Sequence, residues 1–264
     1  MTGWTRHARI LLICWRAAVA SEVEYRLNFV SNVALSMFWM LWAVAGASVY
    51  FRYTGAVAGW TNAEVLVVIG LFFTLNGLRQ MLLQPNLERM TDYVRLGTLD
   101  FLLIKPFDAQ LLVSLRHLNV NTLLDPVLGL ALTTTGIVLA GRGTSVTALA
   151  SFAWMLACAV LLMYALTVLM MALAVKLVAA EELGRVGYAF VELSRFPVDL
   201  YRNPVQTILT VVPIAFLTTY PAAALLGRLN PSMLLLAPAA AACAVIFATL
   251  AWRRSLRSYA GASA

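Results

Sequence analysis

The sequence carries too little charge to cover a soluble domain of its size. Only 12% of its 264 residues are charged and 62% are hydrophobic, with a mean hydropathy of +0.84. A soluble domain carries roughly 25% charged residues. The alternative, an unusually apolar soluble helical protein, requires helices with one apolar and one polar face. Here several runs are apolar on all sides for about 20 residues, which is the length that spans a hydrocarbon core. Composition therefore predicts an integral membrane protein.

Cysteine and histidine are scarce, which argues against a metal site. The three cysteines, Cys14, Cys158 and Cys243, lie far apart and show neither a disulfide framework nor metal-ligand spacing. The only histidines are His7 and His117. We expect no metal ion or disulfide to hold this chain together.

The two lysines exclude the common phosphate-binding loop. That loop needs Gly-Lys-Ser/Thr, but Lys105 follows Ile104 and Lys176 follows Val175. The sequence also contains no Gly-x-Ser-x-Gly elbow and no His-Glu-x-x-His motif. We therefore expect a protein that is not an enzyme by itself and has no cofactor of its own.

The apolar runs predict six transmembrane helices. Their expected bounds are about 28–51, 63–83, 118–140, 146–175, 205–220 and 233–252. The net charge of +7 does not indicate nucleic-acid binding, because the basic residues punctuate the apolar runs instead of forming one patch.

The distribution of Lys and Arg predicts the orientation. With both ends in the cytoplasm, sixteen of the basic residues fall on the cytoplasmic side, and three, Arg52, Arg142 and Arg228, fall outside. This asymmetry is typical of the positive-inside rule. Residues 1–26 mix arginines with tryptophans and aliphatic residues, which suits an N-terminal interfacial helix; a frayed tail is the alternative.

The first cytoplasmic connection, 84–108, is more than a turn requires. Pro85 ends the second span, and Leu87, Met90 and Val94 recur at helical spacing with charged residues between them, up to Gly97 as a C-terminal stop. The pattern predicts a short amphipathic helix at about 86–96. It fits a docking surface for a cytosolic partner and, equally, a helix on the membrane surface without a partner.

Two later regions are irregular. The second cytoplasmic connection, 176–204, is long and carries both signs of charge. Pro213 and Pro221 interrupt the region of the fifth span, so a bent span followed by a short outer or re-entrant segment is expected before the last span.

Asp125, followed by Pro126, is the only acid placed well inside a predicted span. A structural role is to cap or kink the third span and pair with Arg116 or a neighbouring helix. The functional alternative is a path-lining counter-charge, since intramembrane ionisable groups often mark transport pathways.

Several of these segments resemble one family. The stretch from Gly97 to Pro106, continuing through 111–116, is similar to the first inner loop of bacterial ABC type-2 export permeases, six-span proteins usually encoded with a second permease and an ATPase. Residues 25–29, 194–197 and 212–227 resemble its entry motif and later signatures.

The resemblance implies a division of labour. The chain would be one transmembrane subunit of an ATP-driven exporter in a bacterial inner membrane, paired with a second permease subunit, identical or homologous. Two ABC ATPase subunits would bind ATP and Mg²⁺ and dock on the coupling loop. The expected coupling residues are Glu88, Arg89, Asp92, Arg95 and Asp100.

Other functions remain open on sequence alone. A secondary carrier or channel without an ATPase is the alternative, followed by a membrane scaffold. The aromatic and methionine-rich spans suit a lipid or a drug-like cation as cargo; those same side chains equally suit contact with lipid or with the partner permease.

Overall fold

A computed structural model describes residues 12–13, 15–16, 26–105, 108–141, 145–177 and 180–259. The described residues form helices joined by short connections and contain no strand beyond one isolated bridge between Val57 and Trp60. The helices are, in chain order, α1 (Arg26–Phe51), α2 (Asn62–Leu82), α3 (Gln84–Glu88), α4 (Met90–Arg95), α5 (Leu99–Leu103), α6 (Ala109–Leu115), α7 (Leu124–Leu139), α8 (Val146–Leu177), α9 (Ala180–Glu192), α10 (Val205–Val211), α11 (Thr219–Leu225) and α12 (Met233–Arg257). Short 3-10 helices cover Val120–Thr122, Val198–Leu200 and Ile214–Phe216.

Five long apolar helices confirm the predicted all-α integral membrane fold. Among the described residues, the segments long and apolar enough to cross a bilayer are α1, α2, α8, α12 and Val120–Leu139, which includes α7. The predicted runs at 28–51, 63–83, 118–140, 146–175 and 233–252 match these helices closely. We call the end of the bundle where α2 leads into α3 the loop end, and the end where α1 leads into α2 the hairpin end.

The helices α2 and α7 approach each other through glycines. A Cβ on Gly70 would lie 2.5 Å from the backbone nitrogen of Thr133, and one on Gly77 would lie 2.6 Å from Cδ of Pro126. A Cβ on Gly129 would overlap the backbone nitrogen of Thr74. Small residues let two backbones meet, which is how transmembrane helices gain packing energy without a hydrophobic driving force.

The helix α8 is the longest element and extends beyond the other spans. Its 32 residues correspond to about 48 Å, more than a hydrocarbon core of about 30 Å. Its last turns are buried at the loop end, where Met171 and Ala174 pack with Leu87 and Met90. The C-terminal helix α12 finishes at this same end, since Ser255 Oγ donates a 2.6 Å hydrogen bond to the Ala172 carbonyl.

The helices α10 and α11 form a bent pair whose two ends lie at the same end of the bundle. They are bent by 69° around the Val212–Ile214 break. At the start of the pair, Gln206 bonds to Asp199, whose other carboxylate oxygen accepts a 2.9 Å hydrogen bond from Trp60 Nε1. After it, Arg228 Nη1 lies 2.7 Å from Glu64 Oε2. Both ends of the α10–α11 pair therefore lie at the hairpin end of the bundle, where α1 leads into α2.

The segment that runs the length of α2 is instead α9 with the residues that follow it, and we infer from its contacts that it forms the fifth crossing. Contacts follow α2 in antiparallel order, since Gly184 meets Gln84, Tyr188 meets Arg79, Arg195 meets Phe72 and Asp199 meets Trp60. These contacts span all 21 residues of α2, about 30 Å.

This geometry differs from two predictions: the segment 205–220 begins and ends near the hairpin end, and the segment 176–204 runs from the loop end to the hairpin end. The apolar-run criterion failed because α9 is amphipathic. The asymmetry of basic residues survives, because only Arg195 and Arg202 leave the predicted cytoplasmic side.

The predicted N-terminal interfacial helix lies mostly outside the described residues. Residues 12–13 and 15–16 are helical. Trp15 Nε1 donates a 2.8 Å hydrogen bond to the carbonyl of Leu115, which ties this part of the chain to the end of α6.

Candidate functional site

The 84–108 loop folds into three short helices anchored by their apolar faces. The predicted helix at 86–96 is present as α3 and α4, broken at Arg89. Gly97 adopts φ +66°, the left-handed conformation predicted for the helix stop. Leu87, Met90 and Leu99 are buried in a cluster with the end of α8. The charged face of the loop is therefore held in a fixed position.

Three of the predicted coupling residues meet at one polar cleft. The cleft has a volume of about 930 Å³ and lies between the loop and the first turns of α9. Its charged lining comprises Arg79, Glu88, Arg89, Asp92, Glu181 and Arg185. Arg95 is exposed outside the cleft. Asp100 is half-buried near Tyr259. Burial raises the pKa of the Tyr259 hydroxyl, and the Asp100 carboxylate raises it further.

Gln84 joins the loop to the bundle at the floor of the cleft. Its Oε1 accepts a 2.5 Å hydrogen bond from Arg79 Nη1, and its Nε2 donates to Glu88 Oε1 at 2.7 Å. Arg79 is buried, and its guanidinium lies 5.5 Å from the centre of the Tyr188 ring. Glu88 is thus connected through Gln84 to Arg79, which faces Tyr188 of α9.

The first turn of α9 is also attached to the loop directly. The backbone nitrogen of Ala180 donates a 2.9 Å hydrogen bond to Thr91 Oγ1 on α4. A Cβ on Gly184 would lie 2.9 Å from Gln84 Nε2, so only glycine permits this close approach without a shift of that side chain. The loop and α9 therefore form one connected unit.

His117 fixes the loop from the other side. Its backbone nitrogen donates to Asn86 Oδ1 at 2.8 Å, and its Nε2 lies 2.8 Å from the Tyr93 hydroxyl. Burial, with the charges of Arg89 and Arg116, lowers the pKa of His117 to about 4. The neutral imidazole is therefore the form that supports this arrangement near pH 7.

Farther along the crossing, α9 ends at an ion pair. Arg195 Nη2 lies 2.5 Å from Glu192 Oε1, and the guanidinium stacks 5.0 Å from the centre of the Phe72 ring. Phe72 is the middle residue of α2. The pair is therefore placed halfway between the two ends of the bundle.

Asp125 lies apart from the contacts between α2 and α9. It is 9% exposed in the first turn of α7, and its Cβ would be 2.7 Å from a Cβ on Gly77. The Ser36 side chain of α1 lies beside its carboxyl group. The structure thus places Asp125 between α1, α2 and α7, on the other face of α2 from α9.

Sequence reasoning missed two groups at the loop end. Leu96, Phe101 and Ile104 are 72%, 66% and 78% exposed beside the charged loop residues. Glu181 and Arg185 belong to α9, a segment that the sequence predicts as a connection. The sequence does not show whether an apolar residue next to a helix stop is exposed. The spacing of the charged residues in 181–192, by contrast, matches one face of a helix and is visible in the sequence.

Comparison with known proteins agrees with this architecture. The long apolar helices are those of a multi-pass membrane protein. The family model described as ABC-2 family transporter protein matches residues 37–263. The chain therefore belongs to the ABC-2 transporter family and is a transmembrane component of an ABC transporter. No curated protein and no solved structure matches it.

Proposed function

We propose that this chain is the permease subunit of an ATP-driven exporter in the bacterial inner membrane. It pairs with a second permease, identical or homologous, and the pair binds two ATPase subunits that hold ATP and Mg²⁺. The chain contributes the path and the coupling surface and no catalytic group. Family membership supports a transporter subunit, and the positive-inside asymmetry supports the orientation.

The observation that carries the coupling role is the attachment of an exposed charged surface to a membrane crossing. Glu88, Arg89, Asp92 and Arg95 are exposed, while the same short helices are anchored by buried side chains. Exposed apolar residues among charges are typical of a protein interface. We assign this surface, with Leu96, Phe101 and Ile104, to the ATPase; Asp100 lies at its edge.

The attachment supplies a route for mechanical coupling. ATPase closure would displace α3 and α4, and the contacts of Gln84 and Thr91 would carry that displacement into α9. Because α9 is part of a crossing, the movement reaches the middle of the membrane. A helix that lies on the membrane surface without a partner needs no such link to α9.

The charges of α9 support a path on this side of the bundle. Glu181, Glu182 and Arg185 are exposed, and Tyr188 is 37% exposed on the next turn. Charged side chains are costly in hydrocarbon and face water or protein. We therefore place the translocation path along the exposed face of α9, between this chain and its partner permease.

A charge-reversal experiment tests the coupling surface. We expect Arg89→Glu with Arg95→Glu to reduce the ATPase that co-purifies with the tagged chain by about tenfold or more, because two favourable contacts become repulsive. The matched control is Arg253→Glu with Arg254→Glu, two exposed arginines at the end of α12, which should retain the ATPase.

Two outcomes contradict the proposal. Normal ATPase recovery with the Arg89 and Arg95 reversals would place the docking surface elsewhere. If the unmodified chain, extracted gently from its native membrane, brings down no nucleotide-hydrolysing subunit, the protein would be the alternative, a secondary carrier or channel.

A further inference from the structure

An apolar cavity lies inside the bundle, away from the charged cleft at the loop end. It has a volume of about 170 Å³ and is lined by α8, α12, Phe190 of α9 and the break between α10 and α11. Every described residue of its lining is apolar. An engineered apolar cavity of about 150 Å³ stays dry and binds benzene. This cavity therefore has room for an apolar group of similar size.

The cavity lies near the middle of the membrane. Helices α8 and α12 run side by side between two contacts: Trp154 Nε1 donates to the Leu234 carbonyl, and Ser255 Oγ donates to the Ala172 carbonyl at the loop end. The two contacts are about 27 Å apart along α8, close to the thickness of a hydrocarbon core. The part of α8 that lines the cavity, 162–169, lies near the middle of this distance.

The cavity is enclosed on most sides and open on one. Met163, Ile214 and Ala248 are buried in its wall. Val212 and Phe247, at its open side, are 42% and 62% exposed. Protein interiors contain few voids larger than a water molecule, because the wall atoms of a void lose packing contacts. A void of this size that opens at the middle of the membrane therefore indicates an occupant that enters from the bilayer.

The chemistry of the lining favours a hydrocarbon chain as this occupant. Sites for specific small molecules usually include a few polar groups that fix the orientation of the ligand. The described lining offers no polar side chain for that purpose. The methyl ends of lipid acyl chains lie at the middle of the hydrocarbon core, which is the depth of the opening.

We propose that this cavity binds the methyl end of a lipid acyl chain, which packs between α8, α12 and the α10–α11 break. The bound chain fills the space beside Pro213, where α10 has ended and the 3-10 helix Ile214–Phe216 begins. It thereby supports the bent conformation of the α10–α11 pair. The site is separate from the coupling surface, so it does not depend on the ATPase or on the cargo.

Photolabelling with two lipids tests the site. Both are phosphatidylcholines with a diazirine in one acyl chain, at the methyl end in one lipid and next to the carboxyl carbon in the other. The purified complex is reconstituted in nanodiscs with each lipid, irradiated and digested, and mass spectrometry locates the labelled residues. We expect the methyl-end lipid to label 162–169, 212–217 and 244–248. The carboxyl-end lipid should label them about fivefold less, because its reactive group lies near the membrane surface.

Cavity-filling variants show whether the label enters this space. Ala248→Leu should reduce labelling of 162–169 and 212–217 by about tenfold, because the larger side chain takes the place of the chain end. Ala239→Leu is the matched control: Ala239 is exposed on the same helix outside the lining, so labelling should be unchanged. Ala244→Leu fills the cavity from a partly buried position and should reduce labelling even if Ala248→Leu folds poorly.

The proposal is overturned if both cavity-filling variants are labelled like the unmodified chain. It is also overturned if the carboxyl-end lipid labels the lining as strongly as the methyl-end lipid. A lining that stays unlabelled in the assembled complex would assign the opening to another occupant, such as the second permease, and would equally contradict the proposal.

Discussion

The two faces of α2 are packed by different means. Gly70 and Gly77 bring the backbone of α7 into direct contact, while Phe72 and Arg79 face α9 through an aromatic ring and a guanidinium. Each glycine is two residues from its counterpart, which is about 200° around a helix. The interface with α7 therefore interlocks backbone against backbone, and the interface with α9 is made by long side chains.

This difference assigns different roles to the two interfaces. At these glycines the two backbones lie closer than an added Cβ atom would allow. Only one arrangement fits, because any shift creates an overlap or a void. Side chains such as Arg79 and Arg195 can exchange partners without a change in backbone packing. We expect α2 and α7 to move as one body and α9 to move relative to them during transport.

The largest expected effect breaks the glycine interface. Gly129→Ala would place a methyl group against the backbone nitrogen of Thr74, which cannot give way as a flexible side chain can. We expect a loss of about 1–3 kcal/mol or more in stability, seen as a lower Tm of the detergent-purified chain.

Gly46→Ala in α1 is the matched control, because a Cβ there meets nothing within 4 Å. It should leave Tm unchanged or raise it slightly, since alanine favours a helix over glycine. Equal losses of Tm in Gly129→Ala and Gly46→Ala would contradict the close backbone packing of α2 against α7.

A smaller effect is expected from His117, which anchors the loop through Asn86 and Tyr93. Its native pKa is about 4, while its ordinary value is 6.5, so between these values the unfolded chain binds more protons than the native chain. Stability from the neutral imidazole is therefore complete above about pH 6.5 and is lost as pH falls toward 4. His117→Gln should flatten the fall of Tm over this range.

His7→Gln, the same substitution at the other histidine, should show the same fall of Tm with falling pH as the unmodified chain. An identical pH dependence in His117→Gln and the unmodified chain would mean that the His117 contacts with Tyr93 and Asn86 do not depend on its protonation.

The features that the sequence predicts are those that depend on the length of apolar runs and on local turn chemistry. The runs of α1, α2, α8 and α12 were visible because all their sides are apolar, and Gly97 was recognised as a helix stop with its φ of +66°. The charged residues of the loop were also found, because the anchored helices α3 and α4 alternate apolar and charged positions at helical spacing.

The fifth crossing was missed because its length and composition are atypical. Helix α9 has 13 residues, and its charges satisfy each other or face the cleft, so no apolar run marks it. The apolar run at 205–220 predicts a span in its place. Only contacts between distant residues, such as Trp60 with Asp199, distinguish a crossing from a hairpin.

The most direct test of the account is the side of the membrane on which residues 182 and 202 lie. In a chain whose cysteines are replaced, Glu182→Cys and Arg202→Cys are each labelled in intact cells with a membrane-impermeant thiol reagent. If α9 and the residues after it cross the membrane, Arg202→Cys is labelled from outside and Glu182→Cys only after permeabilisation. Labelling of both only after permeabilisation would restore 176–204 as one cytoplasmic connection and contradict a charged fifth crossing.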